Sequence, residues 1–452
     1  MTKMRRMSVF LILLSSGISV LSGLALDRTS PAGMMNFRAV YYGARCLIQH
    51  VDPYRESEFL RVYRAEGAQF PSDPSRSRLF LRAVPICVNL PTTLFMVAPL
   101  ALLGWGPAHV VWITLLAASF ILAAYLAMDL AGEYSHGVSL FLICILVANS
   151  EVLFTIGNTA GIAVSLCVIA VWCFFKERFL PAGVICLALS LAIKPHDSGL
   201  VWLYFLLAGG TFRKRALQTL GVTLVFAVPA VLWVSQVAPQ WANELRANLA
   251  ATSAHGDISD PGPSSINGRG SADIMIDLQT VVSVFRDDAA VYNPATYLIC
   301  GSFLLVWATT TLRSISTRPS TLFALASISA LSMLATYHRP YDAKLLLLAI
   351  PACAMLWAEG GLIARFALLA TTAAVVLTGD IPLAILALMT KNLDVVTMGI
   401  AAKILMVPVL RPAPLMLLTI AIFYLWIYVR RTRVSLETTG HMNKIAAPIS
   451  ST

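Results

Sequence analysis

The chain has 452 residues, of which 58% are hydrophobic and only 12% are charged. Soluble globular proteins carry about 25% charged residues, so this composition excludes an ordinary soluble enzyme. The formal net charge of +10 comes largely from basic residues in short loops between apolar runs, as in the cytoplasmic loops of membrane proteins. We therefore predict an all-α polytopic membrane protein and expect no nucleic-acid partner.

The first apolar run follows a basic N-terminus and resembles a signal peptide. Its length and the many apolar runs after it favour instead an uncleaved first transmembrane helix over residues 1–26, with its start in the cytoplasm. Residues 27–85 then form a first extracytoplasmic loop. Apolar residues recur with a helical period over 36–50, which predicts an amphipathic helix that lies on the membrane and ends at Pro53. Its polar face would contain Arg38, Tyr42, Arg45 and Gln49.

The rest of the chain divides into two further bundles of apolar runs. We predict a core transmembrane bundle over 86–235, a second extracytoplasmic loop over 236–295, a C-terminal transmembrane bundle over 296–430 and a cytoplasmic tail over 431–452. Together these regions contain about 11 to 13 transmembrane or re-entrant segments.

One stretch conflicts with strict alternation of inside and outside. Lys176 and Arg178 should lie in the cytoplasm, but the runs between 130 and 200 do not place them there. Either a re-entrant segment near GNTAG (157–161) or a break at KPHD (194–197) would resolve the conflict.

Two short polar motifs interrupt apolar segments, where ionisable residues are costly and often functional. One is KPHD, with Lys194 and His196; the other is YHRPYD (337–342), with His338 and Arg339. A kink held by an ion pair and an ordinary extracytoplasmic turn would explain them structurally. Functionally, such cations suit an anionic ligand such as a phosphate.

Acidic residues in the first outer loop, together with these cations, suit glycosyl transfer from a lipid-linked phosphosugar. A carboxylate can act as general base on an acceptor hydroxyl. Cationic side chains can stabilise the departing phosphate. No Gly-rich phosphate loop, CxxC pair or HExxH motif occurs in the sequence, so we assign no cofactor and no metal site.

Four segments in this order resemble glycosyltransferase family 87, whose members use polyprenyl-phosphate sugars and have the GT-C membrane fold. The segments are NFRAVYYGARCLIQHVDPY (36–54), GNTAGIAVSL (157–166), AIKPHDSGLVWLYFLLAGGTFRKRA (192–216) and YHRPYDAKLLLLAIP (337–351). The resemblance implies a GT-C glycosyltransferase-like helical bundle with an extracytoplasmic active site. It also implies inverting transfer of a hexose, in many members mannose, to an acceptor.

The resemblance also implies roles for individual residues. Lys194, His196, His338 and Arg339 would bind the donor phosphate. The substrate-binding group would comprise Tyr41, Tyr42, Arg45, Tyr341 and Asp342.

A catalytic aspartate is expected shortly before the Tyr41–Tyr42 pair, but this chain has Asn36 at that position. An amide cannot accept the proton. Another carboxylate could serve as base, with Asp52 as our choice and Asp27 and Asp342 as alternatives. Asn36 could instead bind acceptor hydroxyls in a slower enzyme, or the chain could have lost activity.

We therefore predict a multi-pass cell-membrane glycosyltransferase whose partners are the bilayer, a polyprenyl-phosphate-linked sugar donor and a glycolipid, glycan or protein acceptor. A transporter or flippase of an anionic or lipid-linked solute, or a catalytically inactive relative, remains the alternative. A transporter needs its charged clusters to face each other near the midplane of the membrane, whereas the transferase needs them near the outer leaflet.

Overall fold

The computed structural model describes residues 3–29, 33–68, 70–71, 80–265, 275–390, 392–393 and 395–445. These residues form helices and loops, without a strand in the described part. The α-helices are α1 (Lys3–Thr29), α2 (Met35–Ile48), α3 (Glu56–Ala65), α4 (Pro91–Ala101), α5 (Trp105–Ala131), α6 (His136–Ala148), α7 (Glu151–Ile156), α8 (Ala160–Lys176), α9 (Leu180–Ile193), α10 (Pro195–Leu207), α11 (Gly210–Val237), α12 (Trp241–Thr252), α13 (Gln279–Phe285), α14 (Ala289–Arg313), α15 (Arg318–Ala335), α16 (Ile350–Glu359), α17 (Gly361–Leu377), α18 (Asp380–Thr390), α19 (Ile400–Leu410) and α20 (Pro412–Ile445). A 3-10 helix spans Asp342–Leu348.

Among the described residues, seven helical segments are long and apolar enough to cross a membrane. They are Arg6–Arg28, Trp105–Ala131, His136–Ile156, Gly210–Val237, Ala289–Arg313, Arg318–Ala335 and Pro412–Thr432. The pair α17 and α18, bent by 67°, would make an eighth, and four further apolar helices are shorter. The predicted all-α polytopic membrane fold is confirmed.

At one end of the bundle, ion pairs and a polar contact connect the ends of several helices. Glu133 pairs with Lys176 and with Arg318, and Arg431 pairs with Glu359. Ser8, near the basic N-terminus, lies 2.7 Å from the ring of His136. We call this end of the bundle the basic end.

The conflict between 130 and 200 has a simple resolution. Segment His136–Ile156 starts at the basic end, and the chain turns at Gly157 before α8 returns to the basic end at Lys176. After it, α9 and α10 form a hairpin rather than one broken span. Gly183 on α9 and the Phe205 ring on α10 both lie against Phe174 near the basic end.

Lys194 is therefore at the tip of this hairpin, at the break that the sequence predicts at KPHD. The two helices have 14 and 13 residues, so each rises about 20 Å. A bilayer core is about 30 Å thick. A helix of that length that starts at the edge of such a core would place the hairpin tip past the midplane, nearer the end opposite the basic end.

The helix predicted over 36–50 is present as α2, but protein encloses it. Ten of its fourteen residues are buried, Tyr41 and Tyr42 among them. On its predicted polar face, Arg45 donates to the Glu66 carboxylate at 2.8 Å and to the Ala101 carbonyl at 2.9 Å. The rest of the outer segment and α4 therefore cover much of the face that was expected to meet solvent, although Gln49 at its end is exposed.

The end of α2 also differs from the sequence prediction. The helix stops at Ile48, and His50 takes a left-handed conformation with φ of 55°. The Val51 N–H then donates to the Cys46 carbonyl at 2.9 Å, which closes the C-terminal turn. A backbone motif, rather than Pro53, terminates the helix.

Candidate active site

The break between α9 and α10 at the hairpin tip is stabilised by its own sequence and by hydrogen bonds from α4. The residue before a proline is disfavoured in the helical region, and Lys194 has φ −151° and ψ 81°. Two of the carbonyls freed at the end of α9, those of Ala192 and Ile193, accept hydrogen bonds from Thr92 and Thr93 at 2.5 and 2.8 Å. Two of the backbone carbonyls freed by the break therefore have hydrogen-bond donors from α4.

Lys194 lies between two buried carboxylates. Its ammonium donates to Oδ1 of Asp342 and lies 3.5 Å from Oδ2 of Asp197. Both aspartate side chains are 1% exposed, and that of Lys194 is 12% exposed. The other Asp342 oxygen accepts the Arg339 N–H at 2.8 Å, and the Tyr341 ring lies 5.1 Å from the ammonium.

Two histidines complete the arrangement. His338 is buried, with Nδ1 2.8 Å from the Thr336 carbonyl and Nε2 3.5 Å from Oδ1 of Asp197. Nε2 of His196 lies 3.6 Å from the same oxygen, and its side chain is 42% exposed. We call Lys194, His196, Asp197, His338 and Asp342 the charged cluster.

The outer loop holds the segment that contains His338 in place. The Ile276 N–H donates to the His338 carbonyl at 3.0 Å. The Arg339 guanidinium donates to the Ile258 carbonyl at 2.9 Å. The second outer segment therefore lies directly against the charged cluster.

The structure thus brings together part of the predicted site. Among the described residues, it shows no hydrogen bond, ion pair or ring contact between the charged cluster and the predicted residues of the first outer segment. There, Tyr41 donates to the Leu103 carbonyl at 2.7 Å, and the Tyr42 ring packs 4.6 Å from that of Tyr63. The contacts of these tyrosines and of Arg45 therefore stabilise the packing of the first outer segment.

Asn36 lies in the first turn of α2, partly exposed. The neighbouring backbone is fixed by a hydrogen bond from the Met34 N–H to the Thr155 carbonyl at 2.7 Å. The α2 start therefore abuts α7 and the turn at Gly157.

Asp52 lies on the loop after α2. Its Oδ1 accepts the Tyr54 N–H at 2.9 Å, and its Oδ2 is 3.5 Å from Nε of Arg55. Arg55 in turn pairs with Glu244 on α12 at 2.7 Å. Burial, together with the nearby Glu244 carboxylate, raises the pKa of Asp52 to about 6.

The other two alternative bases also have defined surroundings. Asp27 lies 3.4 Å from Nε2 of His109 at the start of α5. Asp342 is committed to Lys194 and to the Arg339 N–H. Each of its two oxygens therefore already accepts a hydrogen bond within the site.

A second buried polar group lies near Asn149, outside the site that the sequence predicts. Lys344 donates to the Asn149 carbonyl at 2.9 Å, and Asp380 accepts the Val152 N–H at 2.9 Å. Oε2 of Glu151 and Oδ1 of Asp380 are buried without a hydrogen-bond partner among the described residues. An aspartate between two apolar runs, at TGD (378–380), was the only available signal for Asp380.

One group of side chains could hold a divalent cation. The donor atoms of His255, Asp260 and Asp287 lie within 4.8 Å of one another, at distances that suit nitrogen and oxygen ligands. His196, Asp197 and His338 are equally close, but the Lys194 ammonium already occupies the space beside Asp197. We therefore interpret the charged cluster as an ion-pair network.

The fold and the charged cluster define a multi-pass membrane protein with a buried polar site away from its basic end. The family model for Glycosyltransferase family 87 matches residues 89–337, more than half of the chain. The chain belongs to glycosyltransferase family 87 and is a membrane glycosyltransferase, as the sequence resemblance predicts. Comparisons with curated proteins and with solved structures found no match.

Proposed function

We propose that the protein transfers a hexose, mannose in our assignment, from a polyprenyl-phosphate carrier to an extracytoplasmic acceptor with inversion. The observation that supports this most is the charged cluster at the tip of the α9–α10 hairpin. A polyprenyl chain lies in the bilayer while its phosphate needs cations at the membrane boundary. A lysine about 20 Å from the basic end, in a core of about 30 Å, suits that depth.

In this proposal Lys194, His196, His338 and Arg339 bind the donor phosphate. As the bond between the sugar and the phosphate breaks, charge develops on the leaving phosphate, and cations placed there beforehand lower the barrier. Asp342 and Tyr341 hold Lys194 in position. The location of the cluster past the midplane supports a transferase over a transporter that binds its solute midway.

The acceptor side of the proposal rests on the sequence. Asp52 as general base, Asn36 as a hydroxyl-binding group and Tyr41, Tyr42 and Arg45 as substrate-binding residues remain predictions. The acceptor would be a glycolipid, a glycan or a protein.

The proposal is tested by transfer of label from polyprenyl-phosphate mannose in membranes containing His338→Ala or Lys194→Ala. Loss of one preorganised electrostatic group costs on the order of 10²–10³ in rate, so we expect each variant to lose at least 100-fold. Lys214→Ala, at an exposed basic-end residue, is the matched control and should keep wild-type activity.

Lys194→Ala leaves two buried carboxylates without their shared cation, which costs about 3–5 kcal/mol. Thermal melting of the purified variants separates unfolding from loss of activity, and Lys194→Ala combined with Asp342→Asn removes part of the stability cost. Wild-type transfer rates in the folded His338→Ala and Lys194→Ala variants would refute the phosphate assignment.

A further inference from the structure

With both aspartates ionised, the charges of the cluster balance when two of its other members are cationic. Asp197 and Asp342 are buried carboxylates, and Lys194 is a single cation between them. A buried net charge is strongly unfavourable. Lys194 supplies one of these cations, so one of the two histidines supplies the other when no ligand is bound. The Arg339 guanidinium donates to the Ile258 carbonyl and is not counted in the cluster.

The contacts identify His338 as that cation. Its Nδ1 faces the Thr336 carbonyl at 2.8 Å, and a carbonyl can only accept, so Nδ1 has a proton. Its Nε2 faces the Asp197 carboxylate, again an acceptor, at 3.5 Å. With both nitrogens closest to acceptors, the geometry favours an imidazolium, and the cluster is then neutral.

His196 is then left without a carboxylate of its own. The charged or titratable groups that act on it are Lys194 and Asp197 on its own hairpin and His338 on the loop after α15. Helices α8, α9, α11, α14 and α15 pack against α10 and bring no further charged group to His196 in the described part of the chain. A proton on His196 would make the cluster positive, so the ring stays neutral.

An entering phosphate reverses this balance. It brings at least one negative charge to a neutral cluster in which His196 is the most exposed member, with 42% of its side chain accessible. Protonation of His196 restores neutrality and supplies a charge-assisted hydrogen bond. Its ring is 5.0 Å from that of His338, so both cations could face one phosphate.

We propose that His196 is the proton-accepting residue of the phosphate site and takes up one proton when a polyprenyl phosphate binds. This inference rests on the proposed function, since it concerns the same site. Because binding takes up a proton, affinity falls as the pH rises above neutrality, by at most about tenfold per pH unit.

The test is titration calorimetry of the purified protein with a short-chain polyprenyl phosphate in two buffers of different ionisation enthalpy, at mildly alkaline pH. The difference in heat between the buffers gives the number of protons taken up. We expect about one proton for wild type and close to none for His196→Gln. We also expect the affinity of His196→Gln to be nearly independent of pH. His50→Asn, at an exposed histidine in the turn after α2 whose left-handed backbone asparagine also adopts, should behave as wild type.

Each other outcome is informative. If His196→Gln binds and still takes up the proton, the phosphate or another group is protonated and the inference is wrong. If wild type binds without proton uptake, the inference fails while the phosphate site stands. If wild type does not bind polyprenyl phosphate, the proposed function fails with it. Melting curves show whether His196→Gln is folded, and His196→Asn is the second variant if it is not.

Discussion

Asp52 shares its surroundings with a second carboxylate, Glu244, and with Arg55. In the described part of the chain, Arg55 is the one cation paired with the two acids, and the side chain of Asp52 is 10% exposed. The folded chain therefore holds a proton on Asp52 more tightly than the unfolded chain does, with a pKa of about 6 against the ordinary 3.8. This contribution to stability is present in full at low pH and is lost as the pH rises through about 6.

For this reason, the stability of the Asp52→Asn variant relative to wild type should increase as the pH rises. We expect the melting temperature of the variant, relative to wild type, to increase between about pH 4 and pH 8, because only wild type ionises in that range. Tryptophan fluorescence during heating measures it. Glu58→Gln, which alters a carboxylate paired with Arg61 on the exposed face of α3, is the control. A difference that is flat or falls with pH would show that Asp52 is ionised throughout.

The residue-level site could be predicted only in part. KPHD and YHRPYD are recognisable in the sequence because charged residues interrupt apolar runs there. In the structure, the two motifs meet through the contact between Lys194 and Asp342, which are 148 positions apart. No local spacing in the sequence predicts that Asp380 accepts a hydrogen bond from the Val152 N–H, 228 positions away. Such pairs are set by how helices pack, which a single sequence does not encode in any short pattern.

The turn between α7 and α8 reverses the chain, so that α8 returns to the basic end. Gly157 has φ of 63°, a conformation that glycine adopts without strain. A Cβ there would lie 2.6 Å from Sδ of Met34 and 2.9 Å from Cβ of Phe37. The turn is thus both a left-handed cap for α7 and the surface on which the start of α2 rests.

Gly157→Ala should destabilise the protein by about 1–3 kcal/mol, through the left-handed backbone and the clash with α2. Gly137→Ala is the matched control, because Gly137 lies within α6 and a Cβ there would meet nothing within 4 Å. Alanine is the better helix former, so this control should hold or slightly raise the melting temperature. Equal melting temperatures for the two variants would contradict the role assigned to this turn.

Elements were more predictable than their arrangement. Pro195 marks the break between α9 and α10 in the sequence, because a proline excludes the preceding residue from the helix. The direction of α10 is set by contacts with Phe174, and the sequence contains no local signal for it. The same applies to α2, whose pattern predicts a helix but whose polar face is covered by Glu66 and by the end of α4.

At the scale of the whole molecule, charge is distributed unequally between the two ends of the bundle. The basic end contains Lys176, Arg215, Arg318 and Arg431, each paired with a glutamate. Cytoplasmic loops are rich in Lys and Arg, so the basic end should face the cytoplasm. The charged cluster and the outer segments that hold it would then lie toward the extracytoplasmic side, where a polyprenyl-phosphate donor would be used.

Cysteine labelling tests this orientation directly. Ser253, exposed after α12, and Lys214, exposed at the basic end, serve as the two positions for single substitutions to cysteine. We expect a membrane-impermeant maleimide to label Ser253→Cys in intact cells and Lys214→Cys only after permeabilisation. The eight native cysteines are buried or half-buried, so wild type should give a low background. Labelling of Lys214→Cys alone in intact cells would invert the topology and place the charged cluster toward the cytoplasm, where the proposed extracytoplasmic transfer could not occur.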